Sequence, residues 1–471
     1  MKKTLIAILL IISVLLLSVT LFACKTDENN EGEDLVVTDE KLYVMNWGEY
    51  IGATTVKDFE AWYKQETGKS IKVTYSTQDT NEMMLTQVEK SGETIDLVCP
   101  SEYAIEKLLR AGLLKKIDKT KIATIGNVDP AFYGKVETEF AEIPVGGKVE
   151  NMSNYFVPYM WGTLGILYNS DVIKQEEAEG AGYGLLWNNI NKKELKKKIL
   201  LKDSVRDTYV AGALYLKEND RLPEKYKTYS VEKLINTTDA ELLAAVEAAL
   251  IEQKKDLKEY EVDQGKGDMV KGSAYVNLAW SGDALYAIEE ALENDINLEF
   301  FVPEVGGNIW FDGWVIPTTC QNYDAALKFI EYNCLPEVAI ANALEIGYTC
   351  GINPEVLKAN ADVKAALTEE GFDVNEYFAD EDRYPDMTNV NLGMMKDFGD
   401  SQSEVMAMWE RVKATKTSSV LWIVLGSVAG ALVIIVVLIV IIKKKKGAKG
   451  RVVVEGPDDD KKEDATFDVE V

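Results

Sequence analysis

The chain has 471 residues, long for a single core, which favours two lobes or domains. Its 78 acidic against 51 basic residues give a formal net charge of −27, which argues against nucleic acid as a partner, since phosphate binding needs a basic face. No histidine is present, so Ser-His-Asp and Cys-His machinery and any His-ligated metal are excluded. We expect no enzyme and no cofactor, although carboxylate or cysteine chemistry stays open.

In chain order, Lys2 and Lys3 precede an apolar run from Leu5 that closes on Leu21-Phe-Ala-Cys24. This reads as an export signal. Its end resembles the bacterial lipoprotein cleavage box, which implies loss of residues 1–23 and lipid on the Cys24 sulfur. Residues 24–40 are polar and acidic and read as a tether. From 41 to 415 the pattern is α/β. Lys41–Asn46 is strand-like, and the helical spacing of Val56, Phe59, Trp62 and Tyr63 stops at Gly68. Ser70–Tyr75 alternates as a strand, Met83 to Val88 forms a helical stripe, and Ile95–Val98 is strand-like again. Such alternation predicts a mostly parallel sheet with helices on its faces and ligands beyond the strands' carboxyl ends. Residues 175–184 read as a loop insertion. The 23 residues from Val420 to Ile442 carry no charge and precede Lys443–Lys446. At about 1.5 Å per residue they are long enough to span a bilayer as a helix, with a cytoplasmic tail at 443–471. Cys99 reads as a buried small residue, and a disulfide among Cys320, Cys334 and Cys350 is left open.

The chemistry gathers where aromatics and carboxylates occur together. Trp47-Gly-Glu49-Tyr50 follows the first strand and Ser101-Glu102-Tyr103 a later one, while Trp280-Ser-Gly-Asp283 and Trp310-Phe-Asp312 repeat a tryptophan with an acid two or three residues on. An alkyl diammonium needs this equipment. Its charges must meet carboxylate or carbonyl oxygens, and its methylenes are best covered by flat rings.

Leu42–Ile51, Asp96–Tyr103, Val157-Pro-Tyr-Met-Trp-Gly-Thr163 and Trp310-Phe-Asp312 with Ile316-Pro317 together resemble the spermidine/putrescine-binding proteins of ABC transporters. The resemblance implies a two-lobed periplasmic-binding-protein fold closing by a hinge. It places Trp47 and Tyr50 as aromatic walls with Glu49 a nearby acid, and Ser101 and Tyr103 as contacts from the loop after the third strand. It gives Asp207 an amine, Trp280 and Asp283 one ligand end, Trp310 and Asp312 the other, and Tyr348 a further wall. Ser204 stands where the spermidine-preferring type carries an additional Asp, so putrescine is expected to bind at least as tightly as spermidine.

The expected organisation is a first lobe from 41–150 and 309–358, a second from 151–308 and 359–415, then a transmembrane helix at 420–442. The expected function is membrane-tethered polyamine capture outside the cell, delivering to a permease and ATPase on separate chains. The alternatives are a same-fold binder of another cationic solute, or a sensor signalling through the helix.

Overall fold

The computed structural model describes residues 40–90 and 94–415. The expected signal, Cys24, tether, transmembrane helix and tail lie outside the described residues. Among the described residues no helix is long and apolar enough to cross a membrane.

The first lobe grows from β1 (Glu40–Trp47) and β2 (Ile71–Gln78), which pair in parallel, with β3 (Leu97–Val98) on the other side of β1. Between β1 and β2 runs α1 (Thr55–Thr67), which buries Phe59 and Tyr63. It ends because Gly68 takes the left-handed conformation (φ 75°), its N–H donating to the Lys64 carbonyl. α2 (Asn81–Glu89) starts where the Thr80 hydroxyl accepts the Met83 N–H, and α3 (Glu102–Arg110) follows β3.

Two long strands carry the chain between lobes. β4 (Phe156–Asn169) is buried along its whole length, and so is its later partner, the strand Gly307–Pro317. A strand with no exposed face loses the alternation that marks half-buried strands, which is why both read from sequence as plain apolar runs. The second lobe follows with β5 (Ile199–Lys202), α4 (Val205–Glu218), β6 (Leu257–Glu261), α5 (Gln264–Val270), β7 (Val276–Trp280), α6 (Ser281–Leu292) and β8 (Leu298–Phe301). The chain then returns through β9, the Gly307–Pro317 strand, into α7 (Tyr323–Asn333) and α8 (Pro336–Ile346).

One twelve-stranded sheet results, its main path β2-β1-β3-β9-β4-β7-β5-β6, with β8 on β4. Along this path β1, β2 and β3 pair in parallel, as do β7, β5 and β6, but β4 and β9 run antiparallel to each other, and to β7 and β3 respectively. The sheet is therefore mixed. The first half of β4 (from Phe156) meets the end of β9 beside β3, while its second half meets β7 and β8. The expected boundaries are at residues 151 and 309, whereas the change of partners falls inside these strands. Their register slips between Asp312 and Gly313, opposite Pro158, which has no N–H to give the ladder.

Two further expectations change. Residues 175–184 are a helix, Gln175–Ala181, running into a buried 3-10 segment, Gly182–Trp187. The helices assigned to the second lobe after 359 divide. Ala361–Glu369 and Val374–Ala379 bury Val363, Leu367, Tyr377 and Phe378 in the first-lobe core with Phe59 and Trp314, whereas Gln402–Ala414 buries Val405, Met408 and Trp409 in the cluster holding Tyr209 and Leu250. Cys99, Cys320, Cys334 and Cys350 are all buried and free, so none of the three open pairings forms.

Candidate functional site

The site is built where strand ends of both lobes meet the crossing strands. Trp47 closes β1 and packs against the cores on both sides, and Tyr50 lies buried just beyond it. Ser101 caps α3, Tyr103 sits in its first turn, and Asp207 occupies the first turn of α4. Trp280 ends β7 and Asp283 opens α6. Trp310 and Asp312 point from β9 at the crossing, and Tyr348 follows Gly347 (φ 81°), which ends α8.

These residues fall into two ends. At the first, the Ser101 hydroxyl donates to Asp312 Oδ1 at 2.6 Å and takes a hydrogen bond from Asn81 Nδ2 at 3.0 Å. Asp312 is 5% exposed and pairs with no Lys or Arg among the described residues. Burial pushes its carboxyl up to about 7, and the like charge of Asp207 adds to the rise, while Ser101, Tyr50 and Trp47 oppose it. The Trp310 indole N–H is buried there without a hydrogen-bond partner among the described residues, and the Trp47 indole N–H and Tyr50 hydroxyl lie near Asp312 without good hydrogen-bond geometry. Tyr348 meets Tyr50 and Trp310 edge-on, at ring separations of 5.0 and 5.6 Å. Glu102 is fully buried beneath, its oxygens taking the backbone N–H groups of Phe311 and Met395. Burial raises it to about 8, which favours its neutral form, while the two backbone N–H groups oppose the rise.

The second end is occupied by the protein itself. Lys202, the last residue of β5, is 1% exposed. Its Nζ lies 2.9 Å from Glu261 Oε1, 3.2 Å from Asp283 Oδ2 and 2.8 Å from the Val262 carbonyl, and 4.0 Å from the Trp280 ring centre. Burial alone would lower this ammonium, but Glu261 and Asp283 hold it raised. Asp283 also accepts the Tyr348 hydroxyl at 2.9 Å, with Lys266 Nζ 3.8 Å from the same oxygen. Asp283 was expected to meet a ligand amine. In this structure Lys202 engages its Oδ2 and the Tyr348 hydroxyl its Oδ1. Glu49, expected as an acid of the site, is exposed and pairs with Lys266 across the lobes at 2.9 Å.

Asp207 lies between the ends. Its Oδ1 accepts the Trp280 indole N–H at 3.2 Å, burial raises its carboxyl, and no Lys or Arg pairs with it. Ser204 caps α4 by accepting the Asp207 N–H at 3.4 Å, so the serine at the position of the missing acid has a structural use. Tyr103 has its ring covered by the Arg206 guanidinium at 4.1 Å. Two glycines let the parts approach. A Cβ on Gly162 would lie 2.4 Å from Ser281 Oγ and 3.0 Å from the Trp310 ring, and one on Gly282 2.3 Å from the Tyr348 ring. Sequence reasoning missed Lys202, Glu261 and Lys266. The strand-end rule that selected Trp47 applies equally to Lys202, but a lysine there reads as solvated.

The profile described as bacterial extracellular solute-binding protein matches residues 47–338. The spermidine/putrescine-binding periplasmic protein of Salmonella typhimurium is 29% identical over 382 residues, 80% of this chain and 92% of that one. The putrescine-binding periplasmic protein of Escherichia coli is 28% identical over 306 residues, 64% and 76% of the two. Among solved structures, a chain named for a spermidine/putrescine ABC transporter of Listeria monocytogenes superposes with a TM-score of 0.62 at 30% identity, covering 80% of this chain and 99% of that one. The spermidine/putrescine ABC transporter substrate-binding protein of Streptococcus pneumoniae gives 0.57 at 28% identity, covering 79% and 98%.

Proposed function

The chain belongs to the bacterial extracellular solute-binding protein family, and from that premise we propose that it captures a polyamine between its lobes for uptake. One observation carries the reading. Asp207 and Asp312 are buried carboxylates that form no ion pair with a Lys or Arg among the described residues, set among Trp47, Tyr50, Trp280, Trp310 and Tyr348. Two buried carboxylates with no counter-charge are costly, and an alkyl diammonium supplies both charges while its methylenes lie against the rings. The names of the relatives agree with this chemistry. The unpaired indole and phenol groups around Asp312 fit a carboxylate held ready for an incoming ammonium.

The same proposal extends to the ends of the chain. Lipid on Cys24 and a membrane helix at 420–442 would tether the lobes outside the cell, with residues 443–471 inside and a permease and ATPase on other chains taking the ligand onward. Protease added to intact cells is expected to remove the lobes and spare the tail. A tail cut from outside overturns that orientation. For the ligand, mass spectrometry of small molecules released from the purified chain is expected to find a di- or triamine, and calorimetry to return saturable binding. Failure of putrescine and spermidine alike to bind overturns the polyamine reading.

A further inference from the structure

Lys202 has an environment that a bound alkylammonium would have. Three oxygens surround its Nζ within 3.2 Å, two of them carboxylate, and an indole face lies against it. Its ammonium hydrogen-bonds to the Val262 carbonyl and Asp283 Oδ2, and the Glu261 carboxylate pairs with it at 2.9 Å. The carboxylates at this end are thereby compensated. Glu261 and Asp283 face Lys202, and Lys266 stands between Asp283 and Glu49. Asp312 at the other end, and Asp207 between the ends, form no ion pair with a Lys or Arg among the described residues.

Resting on the polyamine reading, we propose that Lys202 is a built-in cation that fills one amine subsite and so restricts the cleft to dications, excluding triamines. A third ligand ammonium needs its own acceptor, and the acceptors at the Trp280–Asp283 end are taken. Forcing a further charge there sets two ammonium groups against each other in a water-poor cleft, an obstacle to the wrong ligand more than an attraction to the right one. This differs from a preference set by the serine at position 204. That serine merely withholds an acid, whereas Lys202 supplies a competing charge.

Titration calorimetry of the purified full chain with putrescine and spermidine tests it. The unmodified protein is expected to bind putrescine at least about tenfold tighter. K202M, which keeps the stem and removes the charge, is expected to shift the putrescine-to-spermidine ratio toward spermidine by about tenfold or more, and K202R to preserve it. S204D is expected to leave the ratio within about threefold, because the lysine remains. Spermidine binding as tightly as putrescine to the unmodified chain overturns the proposal. So does a folded K202M with an unchanged ratio, or S204D restoring spermidine by itself, an arm that decides the matter even where K202M does not fold. If neither amine binds the unmodified chain, the polyamine reading itself has failed.

Discussion

The two ends of the cleft use the same residue types to opposite effect. At Trp310–Asp312 the carboxylate has a serine hydroxyl and unpaired N–H and O–H groups around it but no cation, and burial raises its carboxyl to about 7. At Trp280–Asp283 the carboxylate is one of two gripping Lys202, whose ammonium lies on the indole. A tryptophan with a nearby acid is thus not a ligand subsite in itself. What decides its role is whether the fold delivers a cation of its own, and here a strand from elsewhere in the sequence does so at one end only.

The largest expected effect breaks the empty end. Asp312→Ala would leave a bound ammonium without its counter-charge, a loss of about 2–5 kcal/mol for a buried pair, which calorimetry reads as a Kd weaker by more than tenfold. Affinity unchanged in this variant would remove Asp312 from the site.

Next in size is the link between the ends. Tyr348 donates to Asp283 while its ring meets Trp310 and Tyr50, and it lies so close to α6 that residue 282 must lack a Cβ. Gly282→Ala is expected to displace the ring and cost about 1–3 kcal/mol of stability by overpacking, seen as a lower melting temperature. A melting temperature within a degree of the parent would show that α6 and Tyr348 can part freely.

Part of this was legible in the residues. Trp47, Tyr50, Ser101, Asp207, Trp310, Asp312 and Tyr348 do come together, because strand ends are where an α/β sheet presents side chains to a cleft. The antiparallel crossings were not legible, since β4 and β9 are buried on both faces and carry no alternation. Nor was the self-occupied end. Lys202 and Asp283 are 81 residues apart, and only the sheet order, which puts β5 beside β7, joins them. Pairing across such a distance leaves no local signal.

The raised Asp312 carboxyl also gives the empty end a pH dependence. Burial raises it to about 7, and a bound ammonium favours the ionised form. At pH below this value the proton must leave before the amine can pair. Binding should therefore weaken as pH falls through 7, by up to about tenfold per pH unit, and level off above about 8 while the amines stay charged. Calorimetry between pH 5.5 and 8 reads this directly. In Asp312→Asn the slope near pH 7 should flatten to what Glu102 and Asp207 contribute, and a slope unchanged in that variant would place the titrating group elsewhere.

The smallest expected effect concerns the pair that ties the lobes beside the filled end. Lys266, on α5 of the second lobe, reaches Glu49 in the turn after β1 of the first at 2.9 Å. The Glu49 side chain is 71% exposed, so water and salt screen the pair, and such contacts contribute about 0–1 kcal/mol. Glu49→Gln is expected to weaken diamine binding by less than about fivefold. Because the pair spans the cleft, the change should fall on the dissociation rate, as faster opening releases ligand. Stopped-flow dissociation at low salt should show it, and at about 1 M salt, where the screening length drops to about 3 Å, parent and variant should converge. A large loss that persists at high salt would mean that Glu49 meets the ligand itself, and that the filled end has a free carboxylate after all.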